Sequence, residues 1–234
     1  MEIHILPDRM QLARAAALRI TALAAETIRA RGAFTLALSG GSTPWAMLEV
    51  LASQDIDWSR VHVFQVDERI APDGDEVRNW THVSRSLLDR VPIPASQLHP
   101  MPVLEAPAAG AHSYASRLAA ATGTPPVLDC VQLGLGDDGH TASLVPGDSI
   151  LDVDNCDVAW TGQPYRGTRR MSLTLPCIDR ARAVLWLVAG AGKEDMVRRL
   201  IQGDRSIPGG RVRGDRAVLF ADGAAGVDAG AGQA

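Results

Sequence analysis

Residues 128–147, LDCVQLGLGDDGHTASLVPG, restrict the fold more than any other stretch of this chain. Residues 128–133 form an apolar run with β-branched members, and Pro125-Pro126 stops any element before it, so the spacing predicts a short buried strand. Gly134, Gly136 and Gly139 then remove side chains from a tight turn, which lets the backbone take positive φ and come close to a ligand. His140-Thr141-Ala142-Ser143 is expected to open a short helix that ends near Pro146-Gly147. In an open parallel sheet, ligands bind beyond the carboxyl ends of the strands. This turn therefore presents Asp138 and His140 where chemistry takes place.

The spacing Gly134-x-Gly136-x-x-Gly139 also matches the dinucleotide fingerprint, which is weak alone. A dinucleotide site needs a long helix after the last glycine and a second strand ending in an acid. Pro146 interrupts after barely one and a half turns, and Asp152, Asp154 and Asp157 lie in a polar stretch with no clear strand before them. A blander alternative makes the glycines a plain strand turn and His140 a surface cap. The Asp-Gly-His-Thr cluster directly after a buried strand disfavours it.

With 234 residues the chain suffices for one large α/β domain or two small ones. A net charge of −4 gives no basic surplus for nucleic acid or an anionic membrane. Lys193 is the only lysine and so stands out. Cys130, Cys156 and Cys177 are odd in number and lack C-x-x-C spacing, which argues against a zinc site or disulfide framework. The amino terminus has no apolar signal core, and no apolar run approaches membrane-spanning length. The expected location is the cytoplasm.

Residues 3–6 read as an edge strand. Asp8 and Gln11 form a capping-box pattern before a helix whose apolar face carries Leu12, Ala16, Ile20, Leu23 and Thr27 and which Gly32 ends. Residues 34–38 form the next strand. It runs into Ser39-Gly40-Gly41-Ser42-Thr43-Pro44 and a helix over 45–51. A strand, a loop of glycines and hydroxyls and a helix start together read as a phosphate cradle, with free N–H groups and the positive helix end attracting an anion. A plain turn capped by Thr43 is the alternative, but two glycines and three hydroxyls exceed what a cap requires. The glycine spacing and lysine of a Walker A loop are absent. Ala37-x-Ser39-x-Gly41 lacks the first glycine of a nucleophile elbow, which disfavours a serine hydrolase.

Residues 61–66 form a strand ending in Asp67-Glu68-Arg69. Buried charges at a strand end require partners or a ligand. Arg69 can grip an anion and Asp67 or Glu68 can orient hydroxyls or histidine, against the alternative of a solvent-exposed strand end with a surface ion pair. Residues 73–79 read as a mobile loop, with a helix around 81–89. The proline-rich residues 91–107 read as an irregular excursion within one domain. A helix is expected over 108–121, and strands over 158–161 and 171–175. Between those strands lies a basic cluster. Arg166 and Arg169 read as a solvated hairpin tip, whereas Arg170 adjoins the strand and is the better ligand. Residues 183–189 form a strongly apolar strand leading to Gly190-Ala191-Gly192-Lys193 and a helix to 201. Lys193 is assigned to phosphate or carboxylate binding. A last strand is expected over 218–221, preceded by a possible cover loop at Pro208. Residues 1–222 make the domain, and 223–234 an expected frayed Gly/Ala-rich tail.

Together these motifs resemble the 6-phosphogluconolactonase family, part of the glucosamine-6-phosphate isomerase/6-phosphogluconolactonase superfamily. The matching segments are Ser39 to Pro44, Asp67-Glu68-Arg69, Gly134 to Leu144, Pro146-Gly147, Arg170-x-Ser172-x-Thr174-x-Pro176 and Gly190-x-x-Lys193, in the family's order and across most of the chain. The resemblance implies a single α/β domain with a mainly parallel, Rossmann-like (sugar-phosphate isomerase-like) sheet flanked by helices. It implies hydrolysis of 6-phospho-D-glucono-1,5-lactone to 6-phosphogluconate, with no metal, nucleotide or obligate protein partner. His140 suits a general base near neutral pH, because histidine is the side chain whose unperturbed pKa, about 6.5, lies there. Asp138 or Asp67 would orient it. Ser39, Gly40, Gly41, Ser42, Thr43, Arg69, Gly139, Arg170 and Lys193 would hold the phosphate and carboxyl end. The chain departs from the family at Arg78-Asn79, where Ser-Asn is usual, and at Pro208-Gly209-Gly210, where a Pro-Ala-Ser-type loop is usual.

Two rivals follow. Amino-sugar-phosphate deaminases or isomerases tend to carry Gly-His-Ile-Ala-Phe-Asn where this chain has Gly-His-Thr-Ala-Ser-Leu, and an aromatic residue where Arg69 stands. A non-catalytic sugar-phosphate sensor would need a DNA-binding module, and none fits before Phe34.

Overall fold

The computed structural model describes residues 1–225. The first half of the chain runs β1 (Glu2–Leu6), α1 (Arg9–Arg31), β2 (Phe34–Leu38), α2 (Ser42–Leu51), β3 (Val61–Gln65), β4 (Asp67–Arg69), α3 (Asn79–Ser86), β5 (Leu98–His99) and α4 (Pro107–Thr122). The second half runs β6 (Cys130–Gly134), β7 (Val158–Trp160), β8 (Arg170–Leu173), α5 (Leu175–Asp179), β9 (Val184–Val188), α6 (Glu194–Ile201), α7 (Pro208–Arg211) and β10 (Ala217–Asp222).

Seven strands form one sheet in the order β1-β10-β9-β6-β2-β3-β5, and every neighbouring pair is parallel. Successive side chains on a strand face opposite sides. On β9, Val184, Trp186 and Val188 enter one core and Leu185 and Leu187 the other. Burial on both faces explains why β2 and β9 are continuous apolar runs rather than alternating ones. Helix α1 covers one face with Leu12, Ala16 and Ile20. It starts and ends as its sequence requires: Asp8 accepts from the Gln11 backbone N–H, and Gly32 takes φ 84°.

A second sheet, antiparallel β4-β8-β7, packs Val158, Met171 and Leu173 into the opposite core. The expected strand over 61–66 therefore ends earlier. Asp67–Arg69 leaves the large sheet and pairs with β8, so Asp67 and Glu68 are buried rather than at a solvent-exposed strand end. The proline-rich excursion supplies β5, a two-residue edge strand on β3 that was expected as irregular chain. Helix α2 begins at Ser42, three residues before its expected start. Residues 140–147 form turns with a Thr141–Leu144 bridge instead of a short helix. Ala142 at φ 49° is incompatible with a helical turn there. Of the expected tail, Gly223–Ala225 form a 3₁₀ turn with Ala225 buried; residues 226–234 lie outside the described residues.

Next to the edge, His99 stacks on Phe64 with ring centroids 4.2 Å apart, and its Nε2 lies 3.1 Å from His62 Nδ1. Burial, helped by repulsion from His62 and Arg117, lowers the His99 pKa to about 4. An unfolded histidine titrates near 6.5, so between pH 6.5 and 4 the unfolded chain binds more protons and stability falls as pH falls. Urea midpoints are expected to drop between pH 7 and pH 5, and His99→Gln should flatten that drop. Identical pH slopes for the two proteins would refute it.

Candidate active site

Strands β2 and β6 are adjacent, yet their chains leave in opposite directions. β2 continues to β3 on one side, whereas β6 continues past the second sheet to β9 on the other. This divergence leaves a crevice beyond their carboxyl ends, the usual ligand position in an open parallel sheet. The cleft there measures about 210 Å³. It is lined by Ser39, Gly40 and Gly41 after β2, Gly134, Leu135, Gly136, His140 and Ala142 after β6, Asp67 and Arg69 of β4, and Asn79, Arg170 and Lys193. Gln132, fully buried in β6, accepts from both the N–H and the hydroxyl of Ser39, tying the two strand ends together.

The turn after β6 is closed by its own backbone. Gly136 N–H donates to His140 O (2.8 Å), and Gly139 N–H donates to Gly136 O (3.2 Å). Asp138 Oδ1 accepts from the His140 backbone N–H at 3.1 Å and lies 2.5 Å from His140 Nδ1. With Asp138 as acceptor, the neutral imidazole carries its proton on Nδ1 and keeps a lone pair on Nε2. A side chain at Gly136 would have its Cβ 1.9 Å from His140 Nδ1, so only glycine admits this approach. Burial works to raise the Asp138 pKa, but hydrogen bonds from His140, its charge and the Tyr165 hydroxyl prevail and hold it at about 2. Asp137 joins Asp138 and His140 in placing three metal-capable atoms within 4.8 Å of one another. With its proton on Nδ1 toward Asp138, His140 offers no lone pair on the side that faces this acid.

The cleft also carries positive charge. Arg69, Arg170 and Lys193 line it, and none makes an ion pair among the described residues, although most other arginines do. Register places Arg69 directly across from Arg170 on β8. Like charges opposite one another repel, and an anion between them removes the cost. Arg170 is 5% exposed and its Nε lacks a partner. Burial lowers its pKa, Asp67 works the other way, and Arg69 adds to the lowering. Lys193 caps α6 after a turn whose Gly190 N–H is held by the Asp222 carboxylate.

Beneath this lies Glu68, which has no exposure. Its Oε1 accepts from the N–H groups of Arg69 and Asn79, and its Oε2 from Gln65 Nε2 and Trp80 N–H. Arg78 Nε lies 3.1 Å from Oε2, near enough for an ion pair but out of line for a hydrogen bond. A carboxylate at the amino end of α3 thus fixes β4 and the helix start together. Asn79 then accepts from Arg69 Nη1 and donates to Asp67, whose Oδ2 accepts from Ser143. The arginine at position 78 is therefore a buried partner of Glu68.

Of the expected site residues, Ser39, Gly40, Gly41, Asp67, Arg69, His140, Arg170 and Lys193 meet at the cleft. Four do not line it. Ser42 and Thr43 belong to the first turn of α2, with Ser42 exposed, because the helix starts three residues early. Gly139 faces the other way: its carbonyl accepts from Gly209 N–H, and a Cβ there would meet Ile207 at 2.7 Å. Asp138 sits behind the imidazole rather than in the cleft. Asp67 does not orient His140, since its oxygens are engaged by Ser143 and Asn79. The expected cover loop is α7, whose Gly210 allows close approach to Asp204 O. Gln132, Asn79, Ser143 and Tyr165 were not expected. Gln132 left a signal as a polar residue inside an apolar strand, and Asn79 and Ser143 lay within family motifs without being assigned a role; Tyr165 left none.

A family model described as glucosamine-6-phosphate isomerases/6-phosphogluconolactonase matches residues 7–220. The chain is 39% identical over 205 residues to a 6-phosphogluconolactonase of Synechocystis, covering 82% of each protein. It is 39% identical over 212 residues to a 6-phosphogluconolactonase of Mycobacterium tuberculosis, covering 86% of each. The crystal structure of 6-phosphogluconolactonase from Leishmania guyanensis superposes with a TM-score of 0.83 at 27% identity, covering 97% of this chain and 98% of that one.

Glu68→Ala strands the Arg78 guanidinium, 3% exposed, without its carboxylate and uncaps α3. The expected loss is about 3–5 kcal/mol in urea unfolding. A loss below ~1 kcal/mol would show that the network does not hold the site.

Proposed function

The chain belongs to the glucosamine-6-phosphate isomerase/6-phosphogluconolactonase family, and on that premise we propose that it hydrolyses 6-phospho-D-glucono-1,5-lactone to 6-phospho-D-gluconate, the second step of the oxidative pentose phosphate pathway. The observation that carries this reading is an imidazole backed by a carboxylate, facing a cleft with three unpaired cations. An amino-sugar deaminase has less support, because the Gly-His-Thr-Ala-Ser-Leu segment and Arg69 both follow the lactonase pattern. The absence of a basic surplus and the cysteine usage support a cytoplasmic enzyme acting on a small phosphorylated sugar. Among the described residues no helix is long and apolar enough to cross a membrane.

A lactone is an activated ester, so its hydrolysis needs a positioned water, a base and a home for developing charge. Arg69, Arg170 and Lys193 hold the phosphate of the substrate. His140 Nε2 takes a proton from water as its oxygen attacks the C1 carbonyl, and Asp138 stabilises the imidazolium that forms. The carbonyl oxygen becomes anionic, and backbone N–H groups of the Gly40–Gly41 loop receive it. Collapse breaks the bond to the ring oxygen, and the imidazolium returns the proton to it. The new carboxylic acid then ionises. Asp67, held by Asn79 and Ser143, orients substrate hydroxyls.

The test is a coupled assay on freshly generated phospholactone, corrected for spontaneous opening. Wild type accelerates opening. His140→Ala is expected to lose ~10²–10⁴-fold in kcat while product binding changes only a few-fold. Near-normal turnover in that variant would remove His140 from the role. Arg69→Ala is expected to raise KM for the phosphorylated lactone by at least about tenfold, the equivalent of one charge-assisted hydrogen bond. Equal wild-type kinetics on phosphorylated and unphosphorylated lactones would argue against the phosphate grip.

A further inference from the structure

The β7–β8 hairpin reaches the His140 turn from a different sheet. Its tip is a two-residue turn, with Arg166 at φ 50° and Gly167 at φ 88°, closed by the Tyr165–Thr168 bridge. Positive φ at both central positions matches the twist of a tight hairpin, but an arginine there is strained. The strain is offset by two ties. Arg166 Nη2 donates to Asp137 at 2.9 Å, and the Tyr165 hydroxyl donates to Asp138 Oδ2 at 2.8 Å. The Tyr165 ring also meets the imidazole edge to face, with centroids 5.2 Å apart, and carries the guanidinium carbons of Arg166 and Arg170 at 5.3 and 5.1 Å.

Asp138 thus has three donors: the backbone N–H and Nδ1 of His140 on Oδ1, and the Tyr165 hydroxyl alone on Oδ2. The donation from Tyr165 draws charge toward the far oxygen, which weakens the hold of Asp138 on an imidazolium. It also fixes the carboxylate plane, and with it the ring orientation. We infer that Tyr165 is a positioning residue for the hydrolysis, setting through Asp138 both the aim of His140 and the pH at which it is free to act as base. This rests on the hydrolase reading above. The hydroxyl also lies within hydrogen-bond distance of Nδ1, at 3.2 Å, and not at Nε2, the nitrogen that takes the proton from water, so Tyr165 acts on the Asp138–His140 pair and not on the reacting atoms.

The other charged groups facing His140 are Asp137 on its own turn, Asp67 and Arg69 on β4, Arg166 and Arg170 on the hairpin, and Lys193 before α6. All of them persist in Tyr165→Phe, which also keeps the aromatic packing and the turn. Removing only the hydroxyl gives the full carboxylate charge to the imidazolium, so the protonated ring survives to higher pH.

The experiment compares wild type and Tyr165→Phe in kcat, KM and the pH profile of kcat/KM, alongside thermal midpoints and the ¹H NMR signal of the His140 Nδ1 proton. The acidic limb of the variant should move to higher pH. Its kcat/KM should fall about three- to tenfold at pH 6 and less than about twofold at pH 8, as a rise of the limb by about half to one pH unit produces. KM should stay within about twofold, and the Nδ1 resonance should shift. Superimposable pH profiles with an unchanged resonance would overturn the inference and reduce Tyr165 to hairpin packing. A rise in KM alone would overturn it too, assigning Tyr165 to substrate contact. If wild type fails to hydrolyse the phospholactone, the hydrolase reading fails, while the resonance comparison still reports whether Tyr165 controls the Asp138–His140 pair.

Discussion

Two neighbouring parallel strands whose chains part in opposite directions create the condition on which the rest depends. No crossover covers the ends of β2 and β6, so the backbone groups there must find partners locally or in a ligand. Each loop meets this need with glycine. Gly136 allows the imidazole to fold back against the turn, and Gly40 stands so close to Asn79 that a Cβ would lie 1.8 Å from its Oδ1. Gln132 spans the parting strands and fixes their separation. The crevice is therefore a consequence of strand order, with its width set by one buried amide.

Charge distribution follows the same logic. Every acid near the cleft is engaged: Glu68 by backbone N–H groups and Arg78, Asp67 by Ser143 and Asn79, Asp138 by His140 and Tyr165, Asp137 by Arg166. The cations that line the cleft are not paired with a carboxylate among the described residues; Arg69 donates only to neutral oxygens of Val77 and Asn79. An anionic substrate meets three positive groups that need not first release a carboxylate, and it relieves the Arg69–Arg170 repulsion as it binds. His140 lines the same cleft as these cations, so a ligand held by its phosphate can present its other end to the imidazole.

Much of this was legible in the chain. Apolar runs marked β2, β6 and β9 because strands buried on both faces cannot be polar. Asp8 and Gly32 marked the ends of α1, and the glycine turns marked the two loops that meet. What was misread had weak local signals. β5 is two residues long and exists only because β3 offers an edge. β4 looked like the end of β3, since a change of sheet leaves no trace in periodicity. The helix expected after His140 failed because Ala142 takes positive φ to bring Ser143 onto Asp67, a contact 76 residues apart in sequence.

The sequence by itself determined the buried strands, the glycine turns, the histidine at the head of one and the basic residues beside them, because periodicity, steric permission and charge are local properties; the parallel sheet came from the family resemblance. Only the tertiary structure decided which acid serves the imidazole, that Glu68 supports the site from below, that Ser42, Thr43 and Gly139 face away, and that Tyr165 reaches Asp138. Those outcomes depend on the distance and direction of groups from separate elements. They are fixed when both faces of the sheet are buried and the second sheet docks.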